Sequence, residues 1–257
     1  MNNVKELIAY REFLKTSILK EFRGKYKQSF LGIMWSFINP LLQLLVYSIV
    51  FSFINKVDIP YFTVFLVVAL IPWNFFSTTV TQSTSAIVYS GGILKKVYFP
   101  REILTLSIVI SNLLNFFISF IIIIAALFIS GLGISVYIIY IPLVIFVQLL
   151  FTLGISFALS AITVYIRDLE YFISVIMMMW FYFCPIVYSV EQIPAKLSGL
   201  FNLNPMLHII NAYRDILYFQ TMPDITALLV INGISIAILF FGYRIFKALE
   251  KRFAEEI

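Results

Sequence analysis

From Ile103 to Ile166 the chain runs 64 residues without one Asp, Glu, Lys, Arg or His. A water-soluble fold cannot solvate its surface with such a run. About 20 apolar residues cross the bilayer core as a helix, so this run crosses twice. Its only break, Ser130-Gly131-Leu132-Gly133-Ile134-Ser135, is a turn rich in glycine and serine. The run reads as a transmembrane hairpin, and the rest of the chain is read in lipid.

The composition, 61% hydrophobic and 12% charged over 257 residues, leaves room for about six spans with short loops. The six are drawn at about Leu31 to Ile54, Tyr61 to Ser83, Ile103 to Ser130, Val136 to Val164, Phe172 to Val190 and Ile225 to Phe246. The expected fold is therefore an all-α polytopic membrane protein. Residues 1–257 form a single transmembrane domain: a tail over 1–30, six spans over 31–246 and a second tail over 247–257. One cysteine, Cys184, excludes an internal disulfide and a cysteine metal cluster. The N-terminus lacks the pattern of a removable signal peptide. The net charge of +5 is ascribed to basic flanking loops, so no nucleic-acid partner is expected.

The basic residues set the orientation. Of 18 Lys and Arg, only Lys56, Lys196 and Arg214 fall on one side of the six-span scheme. The others gather in the N-terminal tail, in the loops around Lys95 and Arg167, and at the C-terminal end. Both termini are expected in the cytosol by the positive-inside rule.

The N-terminal tail places Val4, Leu7, Ile8, Leu14, Ile18 and Phe22 on one helical face, interrupted by Arg11. An amphipathic helix on the cytosolic membrane surface is expected, with a helix packed on a partner protein as the alternative. The external loop from Glu191 to Asp224 is too apolar for a wet linker. Asn204-Pro205 reads as an N-cap with proline in the first helical position. Short helices dipping back into the membrane are expected there.

No charge lies within the interior of the six spans, where ion- and proton-coupled transporters usually carry them. No metal-spaced cluster and no catalytic triad are present, and His208 is the only histidine, so no metal and no enzyme activity are expected. The G-x-x-x-x-G-K-[ST] loop that cradles phosphates is absent from the sequence, so any ATP must be used by another chain. Intramembrane amides remain, among them Asn39, Gln43, Asn74, Asn112, Asn115, Gln148 and Asn232, with a run of small polar residues from Ser77 to Ser85. Each amide fits either helix–helix hydrogen bonding or a polar path for a hydrophilic solute. The aromatics, 18% of the chain, fit either apolar packing or stacking on sugar rings.

Several stretches resemble one family. Arg23-Gly-Lys-Tyr-Lys-Gln-Ser-Phe-Leu-Gly-Ile-Met-Trp35 with Asn39-Pro40 is similar to the start of the first span in bacterial polysaccharide export permeases, the membrane subunits of type-two ABC exporters for O-antigen, teichoic acid and capsule. Tyr165-Ile-Arg-Asp-Leu-Glu-Tyr-Phe172, Phe181-Tyr-Phe-Cys-Pro-Ile-Val-Tyr188, Asn204-Pro205, Tyr213-Arg214-Asp215 and Leu94-Lys-Lys-Val-Tyr-Phe-Pro-Arg-Glu102 extend the likeness over nearly the whole chain. Cys184 stands where the family often has serine.

The resemblance implies a permease in the bacterial inner membrane that forms a homodimer. It would bind two copies of a cytosolic ABC ATPase, which hold ATP and Mg, and move a lipid-linked polysaccharide. A lipid or drug exporter, or a channel or scaffold not driven by ATP, is the alternative. ATPase coupling would fall to Leu94, Lys95, Lys96, Tyr98, Arg101 and Glu102, with Arg167 and Asp168. The external gate would include Asn204, Pro205, Tyr213, Arg214 and Asp215. Candidate glycan-path aromatics are Trp73, Phe76, Trp180, Tyr182 and Tyr188. Candidate contacts to lipid phosphate are Lys20, Arg23, Lys25 and Lys27, which membrane orientation alone also explains.

Overall fold

A computed structural model describes residues 2–25, 29–54 and 59–256; Lys27 and Lys56 lie outside them, as does the side chain of Val4. Among the described residues the regular structure is helical, with no strand. In chain order the helices are α1 (Asn2–Ala9), α2 (Arg11–Gly24), α3 (Trp35–Ser48), α4 (Phe62–Thr84), α5 (Ala86–Tyr89), α6 (Gly91–Leu94), α7 (Glu102–Ile129), α8 (Ile141–Thr163), α9 (Leu169–Phe183), α10 (Ala195–Asn202), α11 (Pro205–Leu217), α12 (Ile225–Leu249) and α13 (Phe253–Glu256). A 3-10 turn, Gly32–Met34, leads into α3, and a π-helical turn, Ile49–Ile54, leaves it.

Five helical segments are long and apolar enough to cross a membrane: Gly32–Phe51, Phe62–Thr84, Glu102–Ile129, Val136–Thr163 and Ile225–Arg252. The chain is a multi-pass membrane protein. The uncharged run folds as expected into α7, a tight turn and α8. Gly131 and Gly133 hold φ of 77° and 71° in that turn, a region that glycine enters without a Cβ penalty.

The segment drawn as a fifth span differs. Its helix, α9, has 15 residues and stops at Phe183. Cys184 turns extended, at φ −103° and ψ 133°, because the ring of Pro185 disfavours helical geometry in the residue before it. The proline ends this helix rather than bending it.

The middle of the molecule is α4. Its sequence Phe62-Thr-Val-Phe-Leu-Val-Val-Ala-Leu-Ile71 is apolar on every face, the pattern of a helix enclosed by others. It packs against α3, α7, α8, α9 and α11. About 78% of its most apolar window is buried, against 22% for α12, which packs along α8. A second, smaller core at one end joins Ile87, Phe99, Leu104, Phe157, Phe246 and Phe253. The N-terminal tail forms two helices, broken at Tyr10, and α2 packs on α7. At the other end, Asn204 caps α11 by accepting from the Met206 N–H, with Pro205 in the first helical position, and Asp224 caps α12 through the Ala227 N–H.

Candidate functional site

Three helices each bring a polar stripe to one groove. On α3 the stripe is Ser36, Asn39 and Gln43; on α4 it is Asn74, Thr78 and Gln82; on α7 it is Asn112, Asn115 and Ser119. The spacings of three, four and seven or eight residues put each set on one helical face. The stripes bond to one another. Asn74 Nδ2 donates to Gln43 Oε1 at 2.8 Å, and Asn112 Nδ2 to Gln82 Oε1 at 3.0 Å. Ser36 Oγ donates to Asn115 Oδ1 at 2.5 Å, and Ser119 Oγ to the Ser36 carbonyl at 3.0 Å.

Three cavities meet at Gln82. One of about 520 Å³ lies between the stripes. One of about 920 Å³ opens beside Lys20, Arg23 and Lys25 of the N-terminal region, and Lys25 Nζ donates to Asn112 Oδ1 at 2.5 Å. One of about 440 Å³ continues the other way, past Tyr47 and Trp73 to Met177, Phe181 and Tyr182. The result is one groove, basic at its mouth, amide-lined in the middle where Lys25 reaches Asn112, and aromatic at its far end.

The five aromatics singled out in the sequence divide. Trp73 and the exposed Tyr182 line the aromatic end. Phe76 is fully buried, 5.4 Å from the Phe151 ring and 5.3 Å from Trp180. Trp180 Nε1 donates to Asn204 Oδ1 at 3.0 Å, and Tyr188 donates its hydroxyl proton to the Tyr182 carbonyl at 2.7 Å. Asn204 also donates to the Phe183 carbonyl, so a single amide ties the end of α9 to the start of α11. Gln148 is packing glue: it donates to the Pro72 carbonyl and accepts from the Tyr213 hydroxyl, both at 2.8 Å.

The loop from Leu94 to Glu102 sits over the small second core. Phe99 is buried against Phe13, while Lys95, Lys96 and Tyr98 are exposed. Tyr98 donates to Glu6 at 3.0 Å, and Tyr89 to Glu170 at 3.0 Å; the carboxylate acceptor raises each phenol's pKa. Arg101 stands 5.7 Å over the Phe253 ring. Glu102, by contrast, is buried. It pairs with Lys247, which also meets Glu250 at 2.9 Å. Tyr165 donates to the Leu249 carbonyl at 2.9 Å, and Arg167 and Asp168 beyond it are exposed. The loops around Lys95 and Arg167, the N-terminal helices and the C-terminal end thus form one packed unit.

The opposite end holds a cavity of about 600 Å³ beside α11. Arg214, 2% exposed, donates from Nη2 to the Ile186 carbonyl at 2.8 Å and lies 3.5 Å over the Phe65 ring. Burial, then the nearby charge of Asp224, pushes the Asp215 carboxyl up to about 6.

Sequence reasoning missed Ser36 and Ser119 as members of the groove. The signal available was their helical spacing from Asn39, Gln43, Asn112 and Asn115. Within the external segment from Glu191 to Asp224 it did not single out Gln192, Asn211 and Asp224, which come from the turn after α9, from α11 and from the cap of α12.

Two Klebsiella pneumoniae proteins named O-antigen export system permease protein RfbA are 36% and 35% identical to this chain over 238 residues, covering 92% of it and 91% of each of them. The protein of that name from Myxococcus xanthus is 35% identical over 256 residues, 99% of this chain and 98% of its own length. The model of the ABC-2 type transporter family matches residues 12–218, which include the three polar stripes, the loop after α6 and the whole of α11. The chain belongs to the ABC-2 type transporter family.

Proposed function

We propose that this chain is the membrane permease of an ATP-driven exporter that moves a lipid-linked, O-antigen-like polysaccharide from the cytosol across the bacterial inner membrane. The observation that carries the reading is the groove. A glycan needs a long surface that offers hydrogen bonds without fixed charge, and then ring faces along which a sugar slides without breaking a specific bond. The amide stripes and the aromatic end supply these in order. Lys20, Arg23 and Lys25 at the mouth supply cations for the anionic phosphate of a lipid carrier, with Lys27 nearby in sequence. The names of the relatives point to the same class of cargo.

The groove lies on one face of a single chain, which supports a homodimer whose second copy closes the passage. The whole chain then acts as one permease domain with six crossings, α9 and the stretch on to Val190 making the fifth, and α10 and α11 lying on the outer side. The N- and C-termini lie in the cytosol, with α2 at the membrane surface. Two copies of a separate ATPase, which hold ATP and Mg, meet the packed unit at the Lys95 end. Leu94, Lys95, Lys96, Tyr98, Arg167 and Asp168 form its contact surface, and Arg101 and Glu102 pass movement into α7. At the outer end Asn204, Pro205, Tyr213, Arg214 and Asp215 form the gate. Trp73 and Tyr182 line the path, while Phe76, Trp180 and Tyr188 hold its wall.

The test is export in cells that lack the gene and carry it back as variants. Gln43→Leu with Asn74→Leu removes both members of a bonded amide pair in the groove at once. Export of lipid-linked polysaccharide should fall at least tenfold while the amount of folded protein stays level. Unchanged export would remove the groove from the passage. Failure of the tagged chain to co-purify with an ATPase would remove the energy source.

A further inference from the structure

The outer cavity is walled by the residues before α4 with Phe65 of α4, the segment after α9, helix α11 with Phe219 after it, and the start of α12. Its polar lining is unusual in its balance. Glu191, Asp215 and Asp224 bring three carboxylates, and Arg214 brings one guanidinium. The Asp224 carboxylate caps α12. Arg214 is 2% exposed, and among the described residues it forms no ion pair and its buried Nε has no hydrogen-bond partner. A buried guanidinium nitrogen without a partner costs free energy unless a ligand satisfies it. The aromatic ring of Phe219 lines the same space and is 56% exposed.

The chemistry narrows the ligand. The excess of carboxylates repels an anion. No group of three His, Cys, Asp or Glu able to hold a metal occurs among the described residues, and the Arg214 charge beside the carboxylates opposes a cation. A neutral polyol fits both signs. Vicinal hydroxyls donate to carboxylate oxygens, an ether or hydroxyl oxygen accepts from the Arg214 guanidinium, and the C–H face of the ring rests on Phe219. The volume of about 600 Å³ lies inside the range of roughly 300–1,000 Å³ usual for small-molecule sites.

We propose that this outer cavity is a saccharide-binding pocket that holds a neutral sugar unit of the exported chain as it leaves the passage. The proposal rests on the polysaccharide-export reading. A pocket there gives the emerging chain a place to pause on the outer side, which opposes backsliding between strokes of the ATPase.

The test uses the purified full-length chain in detergent. The probe is polysaccharide released by mild acid from the strain that encodes the chain and fractionated to short oligosaccharides. Calcium chloride and sodium phosphate are titrated separately. Wild type should bind the oligosaccharides, and Asp215→Asn and Phe219→Ala should each weaken binding at least tenfold at unchanged melting temperature. Phe219 is exposed, so its variant tests the pocket even where a change at Arg214 would unfold the protein. Equal binding by wild type and both variants overturns the pocket, as does binding of calcium or phosphate alone that these variants abolish. Export in the parent strain separates the two failures: export that proceeds without oligosaccharide binding overturns the pocket only, whereas loss of the gene without loss of polysaccharide export overturns the reading beneath it.

Discussion

Gly154 of α8 and Gly242 of α12 meet backbone to backbone: a Cβ on Gly242 would lie 2.1 Å from the Gly154 carbonyl oxygen. A Cβ on Gly154 would lie 2.6 Å from the Leu239 backbone nitrogen. In lipid there is little hydrophobic drive between helices, so close backbone approach through small residues supplies the van der Waals contact that holds them. This contact keeps α12, the most exposed of the long helices apart from the first, against α8.

Gly242→Ala should therefore lower stability by about 1–3 kcal/mol, the usual cost of overpacking, because backbone cannot yield as a side-chain tip can. Gly233 lies on the same helix with nothing within 4 Å of its would-be Cβ. Gly233→Ala should be neutral, or stabilise by up to ~1 kcal/mol through helix propensity. Thermal unfolding in detergent compares the two. A Gly242→Ala protein that melts with the wild type would mean that the helices do not touch there.

Much of this was legible in the sequence, because lipid imposes strict rules on composition. The uncharged run to Ile166 had to be a helical hairpin, and Asn204-Pro205 had to start a helix. The Gly154–Gly242 contact was not legible, since a glycine that admits a neighbouring helix reads the same as one that merely weakens its own. The end of α9 was half legible: Pro185 was visible, but whether a proline kinks or ends a helix depends on what the freed backbone meets. In the groove the amides were legible as a set. Their pairing was not, because Gln43 with Asn74 and Gln82 with Asn112 join residues about thirty apart. Glu102 read as the last residue of the loop that the resemblance gives to ATPase coupling. It is buried because Lys247, 145 positions away, folds onto it.

That buried pair predicts its own double-variant pattern. Glu102 is buried, and Lys247→Met leaves its carboxylate with the Tyr243 hydroxyl, at 3.3 Å, as its hydrogen-bond donor among the described residues. Breaking a buried pair from one side typically costs about 3–5 kcal/mol, while replacing both partners with uncharged groups is often near neutral. Glu102→Gln with Lys247→Met should recover most of the stability lost by Lys247→Met alone. Additive losses in chemical unfolding would mean that the two residues do not depend on each other.

Topology is tested by cysteine labelling in intact cells. The single native cysteine, Cys184, is fully buried and should stay silent. Ser135→Cys and Lys196→Cys should react with an impermeant thiol reagent added outside. Lys95→Cys and Arg167→Cys should react only after the membrane is opened. External labelling at Lys95 would reverse the orientation drawn from the basic residues.

The last prediction separates lining from packing among the aromatics. Tyr182 is 62% exposed at the aromatic end of the groove, whereas Trp180 is wedged against Phe76 and Phe151 and bonded to Asn204. Tyr182→Ala should slow export severalfold with little change in melting, because the ring leaves no cavity behind. Trp180 is half-buried, so Trp180→Ala should lower stability by about 3 kcal/mol, the low end for large-to-small changes at buried aromatics. Its export should fall only in step with the amount of folded protein. Trp180→Phe keeps most of the ring contacts but loses the bond to Asn204, and it should fall between the two in stability. Export rate divided by folded protein, measured for all three, decides the matter: a normal ratio for Tyr182→Ala would leave that ring facing lipid rather than cargo.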